Sequence, residues 1–323
     1  MKRFLTAAAL VCMLVSCGGR KGTSDEQAQR YRAFPETPVP SIYTEPSDRL
    51  GFALDHYWDE YFKGAGVTDS VAILGVKKDE LENHLATYIG VLENAPMDKA
   101  QKSVEALFKA VEKRQEAEQD SSLFFLRFTE TVARYLYDPN SPMRSEDFFL
   151  PFVRGLAASP FTRDDMRPGY AYQAGMCAIN QFGEQVPDFQ YKDISGRTHN
   201  LFGIKAAYTM LFFSNPGCEA CKEIVDQITG RPYMESLIAG GMLAVVNIYI
   251  DQEIDAWKEY EPNYPRSWHT GYDHLYRIRE EQIYDVRAIP SLYLLDGEKR
   301  VIMKDAPTEK VLAFLDNIVY GQN

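Results

Sequence analysis

The sequence predicts an all-α region over residues 47–182, followed by an α/β region over residues 183–323 with a mixed sheet and helices on both faces. In the first region apolar residues recur every three or four positions, whereas in the second short apolar runs alternate with helical patterns. The second region also contains Cys218-Glu219-Ala220-Cys221, directly after an apolar run and a Pro-Gly turn. Because the period of the pattern changes near residue 183, we expect two domains.

The N-terminus has the pattern of a lipoprotein signal peptide over residues 1–16. Lys2 and Arg3 precede an apolar stretch that is too short to span a bilayer. Leu14-Val15-Ser16-Cys17 is similar to the bacterial lipobox, which implies cleavage before Cys17 and lipidation of that cysteine. An ordinary signal peptide cut nearby is the alternative. Residues 17–46 are polar and proline-containing, so we expect a lipidated flexible tether.

This leader predicts a location in the cell envelope, with the chain facing the periplasm or the cell surface and held at a membrane by lipid alone. The net charge is −11, and loss of Lys2 and Arg3 with the leader leaves −13. An acidic chain of this kind disfavours nucleic acid as a partner.

Helical spacing predicts six helices in the first region. They lie around residues 50–61, 81–92, 100–111, 123–136, 145–158 and 164–182. The aromatic residues at this spacing are interpreted as core, and Cys177 as a buried inert thiol. His, Asp and Glu do not cluster at ligand spacing and no glycine-rich phosphate loop is present, so we predict neither a metal nor a cofactor.

The second region begins with a predicted hairpin around Ser195-Gly196. Apolar runs predict buried strands at residues 208–213, 243–250 and 291–295, the last joined by a turn at Asp296-Gly297 to a partner at 301–304. Helices are expected after Cys218, around 233–239, near 275–284 and at the C-terminus. The segment 253–272 is an insertion near the functional face or a surface loop packed on the body.

The cysteine pair has the spacing of a dithiol redox centre. A thiolate at a helix N-terminus faces unpaired N–H groups and the positive end of the helix dipole, which lower its pKa. The second thiol lies one turn further along the helix, where it can attack a mixed disulfide. Two alternatives remain. One is a structural disulfide that closes a very small loop, and the other is a zinc site, which would need two more ligands.

Residues 183–323 resemble the thioredoxin-like thiol–disulfide oxidoreductases of the lipoprotein and cytochrome-maturation type found in anaerobic gut bacteria. The resemblance rests on Gly183–Phe189, on the strand into Cys218-Glu219-Ala220-Cys221, and on Ala288-Ile289-Pro290 before Ser291–Gly297. It implies an α/β thioredoxin-like fold after the helical domain, which is similar to a helical domain of unknown function in such lipoproteins. It also implies that Cys218 attacks, that Cys221 resolves, and that Pro290 is a cis-proline facing the pair. A cis-proline of this kind exposes the neighbouring backbone, here at Ile289, to an extended substrate.

The sequence departs from the family at two positions. Phe212 stands where many relatives have the acidic residue that shuttles a proton, and Gly217 stands where a tryptophan usually precedes the first cysteine. Water, Glu219, Glu223 or another carboxylate would then carry the proton. Glu219 also disfavours a charged thiolate beside it, which favours a reducing pair.

Two classes of function follow from these observations. One is an enzyme that exchanges disulfides in periplasmic or secreted client proteins, acting as a reductase with a separate membrane or periplasmic electron donor. The other is a non-catalytic binding or assembly lipoprotein that uses the thioredoxin fold as a scaffold.

Overall fold

The computed structural model describes residues 31–118 and 122–321 of the chain. The predicted signal peptide, Cys17 and the part of the predicted tether before residue 31 lie outside the described residues. No helix within the described ranges is long and apolar enough to cross a membrane.

The first region is predominantly helical, as predicted. Its described helices are α1 (Pro46–His56), α2 (Asp59–Lys63), α3 (Lys78–Glu93), α4 (Met97–Ala117), α5 (Phe124–Leu136), α6 (Glu146–Ala158) and α7 (Arg167–Cys177). Between α2 and α3 lies a hairpin of two very short strands, β1 (Ala72–Ile73) and β2 (Val76–Lys77), which the helical pattern did not indicate. The aromatic residues expected in the core form one cluster with buried leucines and valines from these helices.

The packed body begins earlier than residue 47, within the segment expected to be tether. The backbone amide of Arg32 donates to the carbonyl of Gly75 at 2.8 Å, and the Arg32 side chain donates to the carbonyls of Leu74 and Tyr61. Phe34 is buried, and its ring stacks on His84 with the centroids 3.8 Å apart. Contacts with residues far along the chain thus correct the predicted boundary of the tether at residue 46.

The second region contains the predicted mixed sheet. Its strands are β3 (Gln190–Lys192), β4 (Thr198–Asn200), β5 (Tyr208–Phe213), β6 (Leu243–Tyr249), β7 (His269–Tyr272), β8 (Ser291–Asp296) and β9 (Val301–Met303). They lie side by side in the order β4-β3-β7-β6-β5-β8-β9. The described helices of this region are α8 (Glu219–Thr229), α9 (Met234–Ala239), α10 (Ile254–Tyr260), α11 (Arg277–Glu280) and α12 (Thr308–Tyr320).

The central strand β5 pairs in parallel with β6 and antiparallel with β8. Side chains alternate across a strand, so Phe212 packs on one face of the sheet and Phe213 on the other. The cluster that contains Phe212 also contains Cys221 from α8. The face of the sheet that bears Phe212 is therefore the one against which the cysteine helix packs.

The segment 253–272 is part of the fold and not a surface addition. It includes α10, and it ends in β7, which pairs with β6 on one side and with β3 on the other. Tyr264 and Trp268 belong to the same apolar cluster as Cys221. Strand β7 was not predicted, because His269–Tyr272 is short and lacks an apolar run.

Candidate active site

Cys218 and Cys221 lie where the central strand gives way to a helix. Strand β5 ends at Phe213, and Gly217 has a φ of 70°, a left-handed conformation that glycine adopts without strain. Cys218 is the N-cap residue of α8, and its sulfur is bonded to that of Cys221. Cys221 is only 3% exposed, whereas Cys218 is half-buried. Cys218 is therefore the more accessible of the two cysteines.

The helix N-terminus surrounds the Cys218 sulfur with positive partial charge. The backbone amide of Cys221 donates to this sulfur at 3.1 Å. When the pair is reduced, the same amide and the helix dipole favour the thiolate over the thiol. This arrangement is chemically suited to nucleophilic attack by Cys218.

The segment before β8 lies next to the cysteine turn. Ser291 pairs with Phe213 in the sheet, which places the preceding residues beside the start of the turn at Ser214. The Ile289–Pro290 peptide bond is cis. Ile289 packs against the apolar cluster that also includes both cysteines. Ile289 and Pro290 therefore lie at the same end of β5 as the turn that leads to Cys218.

A buried polar network lies on the same face of the sheet as Cys221. Ser214 donates to Asn247 Oδ1 at 2.7 Å and lies 2.9 Å from the Tyr264 hydroxyl. The pKa of Tyr264 is raised because the side chain is buried, and hydrogen bonds to Ser214 and Asn247 only reduce this shift. Sequence reasoning missed this network. Asn247 as a polar residue within an apolar strand was the available signal.

A second polar chain holds the turn that precedes Cys218. The side-chain amide of Asn215 donates to Asp251 Oδ2 at 2.7 Å, and the other oxygen of Asp251 forms an ion pair with Arg279. The three residues come from the ends of β5 and β6 and from α11. They join different elements around the cysteine turn, which no local pattern indicates.

The carboxylates near the pair lie at the surface. Glu219 and Glu223 are exposed on the first turns of α8, and Phe212 is fully buried at the position where relatives carry an acid. Protons can therefore reach the pair from solvent or from these surface carboxylates.

Other sites are not assembled in the described part of the chain. No group of three or more His, Cys, Asp or Glu residues there could hold a metal ion. Cys177 is a free thiol and fully buried, and burial raises its pKa strongly. A buried thiol of this kind is unreactive.

Comparison with known proteins relates both regions of the chain to other sequences and structures. Residues 16–171 match the model of a family described as a domain of unknown function, DUF5106. The crystal structure of a thioredoxin-like protein from Bacteroides caccae is similar, with a TM-score of 0.74 and 32% identity over 90% of this chain and 99% of that chain.

Two structures from Bacteroides fragilis cover only 42% of this chain, each with a TM-score of 0.41. One is the C-terminal domain of an uncharacterized protein, 40% identical over 97% of its length, and the other is a conserved protein of unknown function, 36% identical over 98% of its length. The comparison with curated proteins found no match.

Proposed function

The chain belongs to the thioredoxin-like proteins, and from this membership we propose that it is a thiol–disulfide oxidoreductase acting on periplasmic or secreted proteins. The observation that carries the proposal is the half-buried Cys218 sulfur at the N-cap of α8. It accepts a hydrogen bond from the Cys221 amide, and the cis Ile289–Pro290 bond precedes Ser291, which pairs with Phe213 at the end of the strand that leads to the cysteines.

The reaction begins with the reduced pair. The Cys218 thiolate attacks one sulfur of the client disulfide, forming a mixed disulfide and releasing the other client sulfur as a thiolate. The Cys221 thiolate then attacks the Cys218 sulfur, which releases the second client thiolate and leaves Cys218 bonded to Cys221. Two electrons pass to the client, and solvent or Glu219 and Glu223 supply the protons.

The direction that we propose is reduction of the client. The exposed carboxylate of Glu219 lies between the two cysteines in the chain, where it disfavours a thiolate and hence the reduced pair. A separate membrane or periplasmic donor must return two electrons to the disulfide after each turnover.

Insulin reduction by the mature chain tests this function. Cys218→Ser should abolish the activity, and Cys221→Ser should accumulate mixed disulfides because the resolving thiol is missing. Cys177→Ala is the matched control, since it removes the buried thiol and should leave the rate unchanged. Full activity in Cys218→Ser, or a pair that cannot be oxidised and reduced, would favour the scaffold function instead.

We also propose that Cys17 is lipidated and holds the protein at the envelope membrane. The support is Lys2-Arg3, the short apolar stretch and Leu14-Val15-Ser16-Cys17. Incorporation of labelled palmitate should be lost in Cys17→Ala and kept in Cys12→Ala, since Cys12 lies within the predicted signal peptide. A mature N-terminus elsewhere, without a lipid mass, would contradict this proposal.

A further inference from the structure

Arg287 joins the helical domain to the segment that carries the cis peptide bond. Its Nε donates to Glu146 Oε1 at 3.0 Å, Nη2 donates to Asp305 Oδ2 at 2.7 Å, and Nη1 donates to the carbonyl of Tyr137. The guanidinium carbon lies 4.0 Å from the centroid of the Tyr137 ring. Glu146 and Tyr137 belong to the helical domain, so this domain supplies most of the partners of Arg287.

Asp305 fixes both ends of the same segment. One oxygen accepts from Arg287 and the other accepts from the hydroxyl of Ser291 at 2.8 Å. Asp305 itself has a φ of 43°, an unfavourable conformation for a residue with a side chain. From the helical domain, Arg144 donates to the Asp305 carbonyl at 2.7 Å. The segment 287–291, with the cis bond near its centre, is therefore held at each end through Asp305.

Lys304 completes the network from the other side of Glu146. Its Nζ lies 2.6 Å from Glu146 Oε2, and it donates to the carbonyls of Met176 and Ile179 at 2.9 and 2.7 Å. The side chains of Lys304 and Glu146 are 0% and 1% exposed. Burial raises the pKa of Glu146, whereas the positive charges of Lys304 and Arg287 beside its two oxygens lower it and favour the carboxylate. Charges this deeply buried are tolerated only with their partners in place, so the domains are fixed relative to each other here.

We propose that the helical domain is a positioning element of the active site. Through Glu146 and Arg144 it holds Arg287 and Asp305, and these hold the backbone at Ile289–Pro290 that receives an extended client. This inference rests on the proposed function and assigns the domain a part in it. Glu146, Arg144, Arg287 and Asp305 are positioning residues, because they act through the backbone beside the cysteines.

The proposal distinguishes two kinds of substrate. A protein client needs backbone pairing at Ile289 as well as attack by Cys218. A small aromatic disulfide such as 5,5′-dithiobis(2-nitrobenzoate) needs only the attack. Loosening the segment 287–291 should therefore weaken the reaction with the first substrate and spare the second.

The test compares Glu146→Gln with the wild-type mature chain on insulin and on the small aromatic disulfide. We expect KM for insulin to rise about tenfold, because loss of positioning acts on substrate placement. The kcat for insulin and the rate with the small disulfide should each stay within about twofold of the wild-type value. The redox potential should not shift. Glu82→Gln is the matched control, since Glu82 forms a 2.6 Å ion pair with Arg134 inside the helical domain. It should change none of these quantities.

Arg144→Met provides a second variant, should Glu146→Gln fail to fold. It removes only the contacts of Arg144, and a smaller rise of KM in the same direction is expected. An unchanged KM in a folded variant, or equal loss with both substrates, would overturn the inference while leaving the proposed function standing. A wild-type chain that reduces neither substrate would overturn the proposed function and this inference with it.

Discussion

The hydroxyl groups of Ser214 and Tyr264 lie 2.9 Å apart on the face of the sheet that packs against the cysteine helix. Ser214 donates its own proton to Asn247 Oδ1, so Tyr264 is the donor in this contact. Ser214 is thus the central member of the network, bonded to both other residues.

Replacing the central residue should cost more stability than replacing the outer one. Ser214→Ala removes two buried hydrogen bonds at once, and we expect it to lower the free energy of unfolding by about 2–3 kcal/mol. Tyr264→Phe leaves Ser214 bonded to Asn247, and about 1 kcal/mol is expected. Urea unfolding of both variants checks the order. Equal costs, or the reverse order, would contradict the network as described.

A second prediction concerns the close packing of α4 on α6 at Gly155. A Cβ at this position would lie 2.3 Å from Cδ1 of the Phe108 ring, so the buried ring or one of the two helices must shift to accommodate it. We expect Gly155→Ala to cost about 1–3 kcal/mol in thermal or urea unfolding. Gly90→Ala in α3 is the control, because its Cβ meets nothing within 4 Å and should stabilise by about 0.5–1 kcal/mol. A neutral Gly155→Ala would show that the Phe108 ring or the helices can move aside without cost.

A third prediction concerns pH and the turn between β3 and β4. Burial alone would raise the pKa of Asp193, but hydrogen bonds from Ser195, His199 and the Arg197 amide lower it well below its usual range. An Asp with a depressed pKa stabilises the fold above its unfolded-state pKa, and this contribution is lost as the pH falls through the folded-state pKa. Asp193→Asn should therefore cost about 1–2 kcal/mol at pH 7 and progressively less below about pH 4.

Unfolding measured at several pH values checks this dependence. Asp164→Asn is the comparison, because Asp164 forms an exposed ion pair with Arg167 and should leave stability unchanged. A cost for Asp193→Asn that stays constant from pH 7 to pH 3 would argue against a depressed pKa.

The fourth prediction concerns the redox potential. We expect a value nearer ~−270 mV, as for thioredoxin, than ~−120 mV, as for strong periplasmic oxidants. Glu219→Gln should raise it by about 5–20 mV, because an exposed charge contributes ~0.2–1 kcal/mol and ~30 mV corresponds to ~1.4 kcal/mol. Equilibration with a glutathione buffer measures both chains, and Glu223→Gln, one turn further along α8, should give a smaller shift. A wild-type potential near that of the oxidants would refute the reducing direction.

The cysteine pair and its flanking elements were predictable because their signals are local. An apolar run before a Pro-Gly turn ends a strand, and a cysteine at the following helix start has few other structural uses. Strand β7 could not be predicted in this way. Gly271 illustrates the reason, because a Cβ at this position would lie 2.2 Å from the Tyr191 ring. The strand is determined by contacts with residues that are distant in the sequence, and a local pattern does not contain them.

The contacts around the cis bond were equally inaccessible from local patterns. Arg287 and Glu146 are 141 positions apart in the sequence, and each alone is an ordinary charged residue. Burial of Phe34 is a similar case, because a single aromatic residue in a polar stretch gives no periodic signal. The thioredoxin-like fold was therefore predictable, but the way in which the two domains meet was not.

The contacts of Arg32 and Phe34 also limit how far the packed body can lie from Cys17. Fifteen Cα–Cα steps separate Cys17 from Arg32 and can span at most about 50 Å, whereas a packed body beginning at residue 47 would have allowed about 100 Å. If Cys17 carries the lipid, the packed body stays within this distance of the bilayer. If the chain also acts on client disulfides as proposed, its clients must pass or reside at that membrane surface.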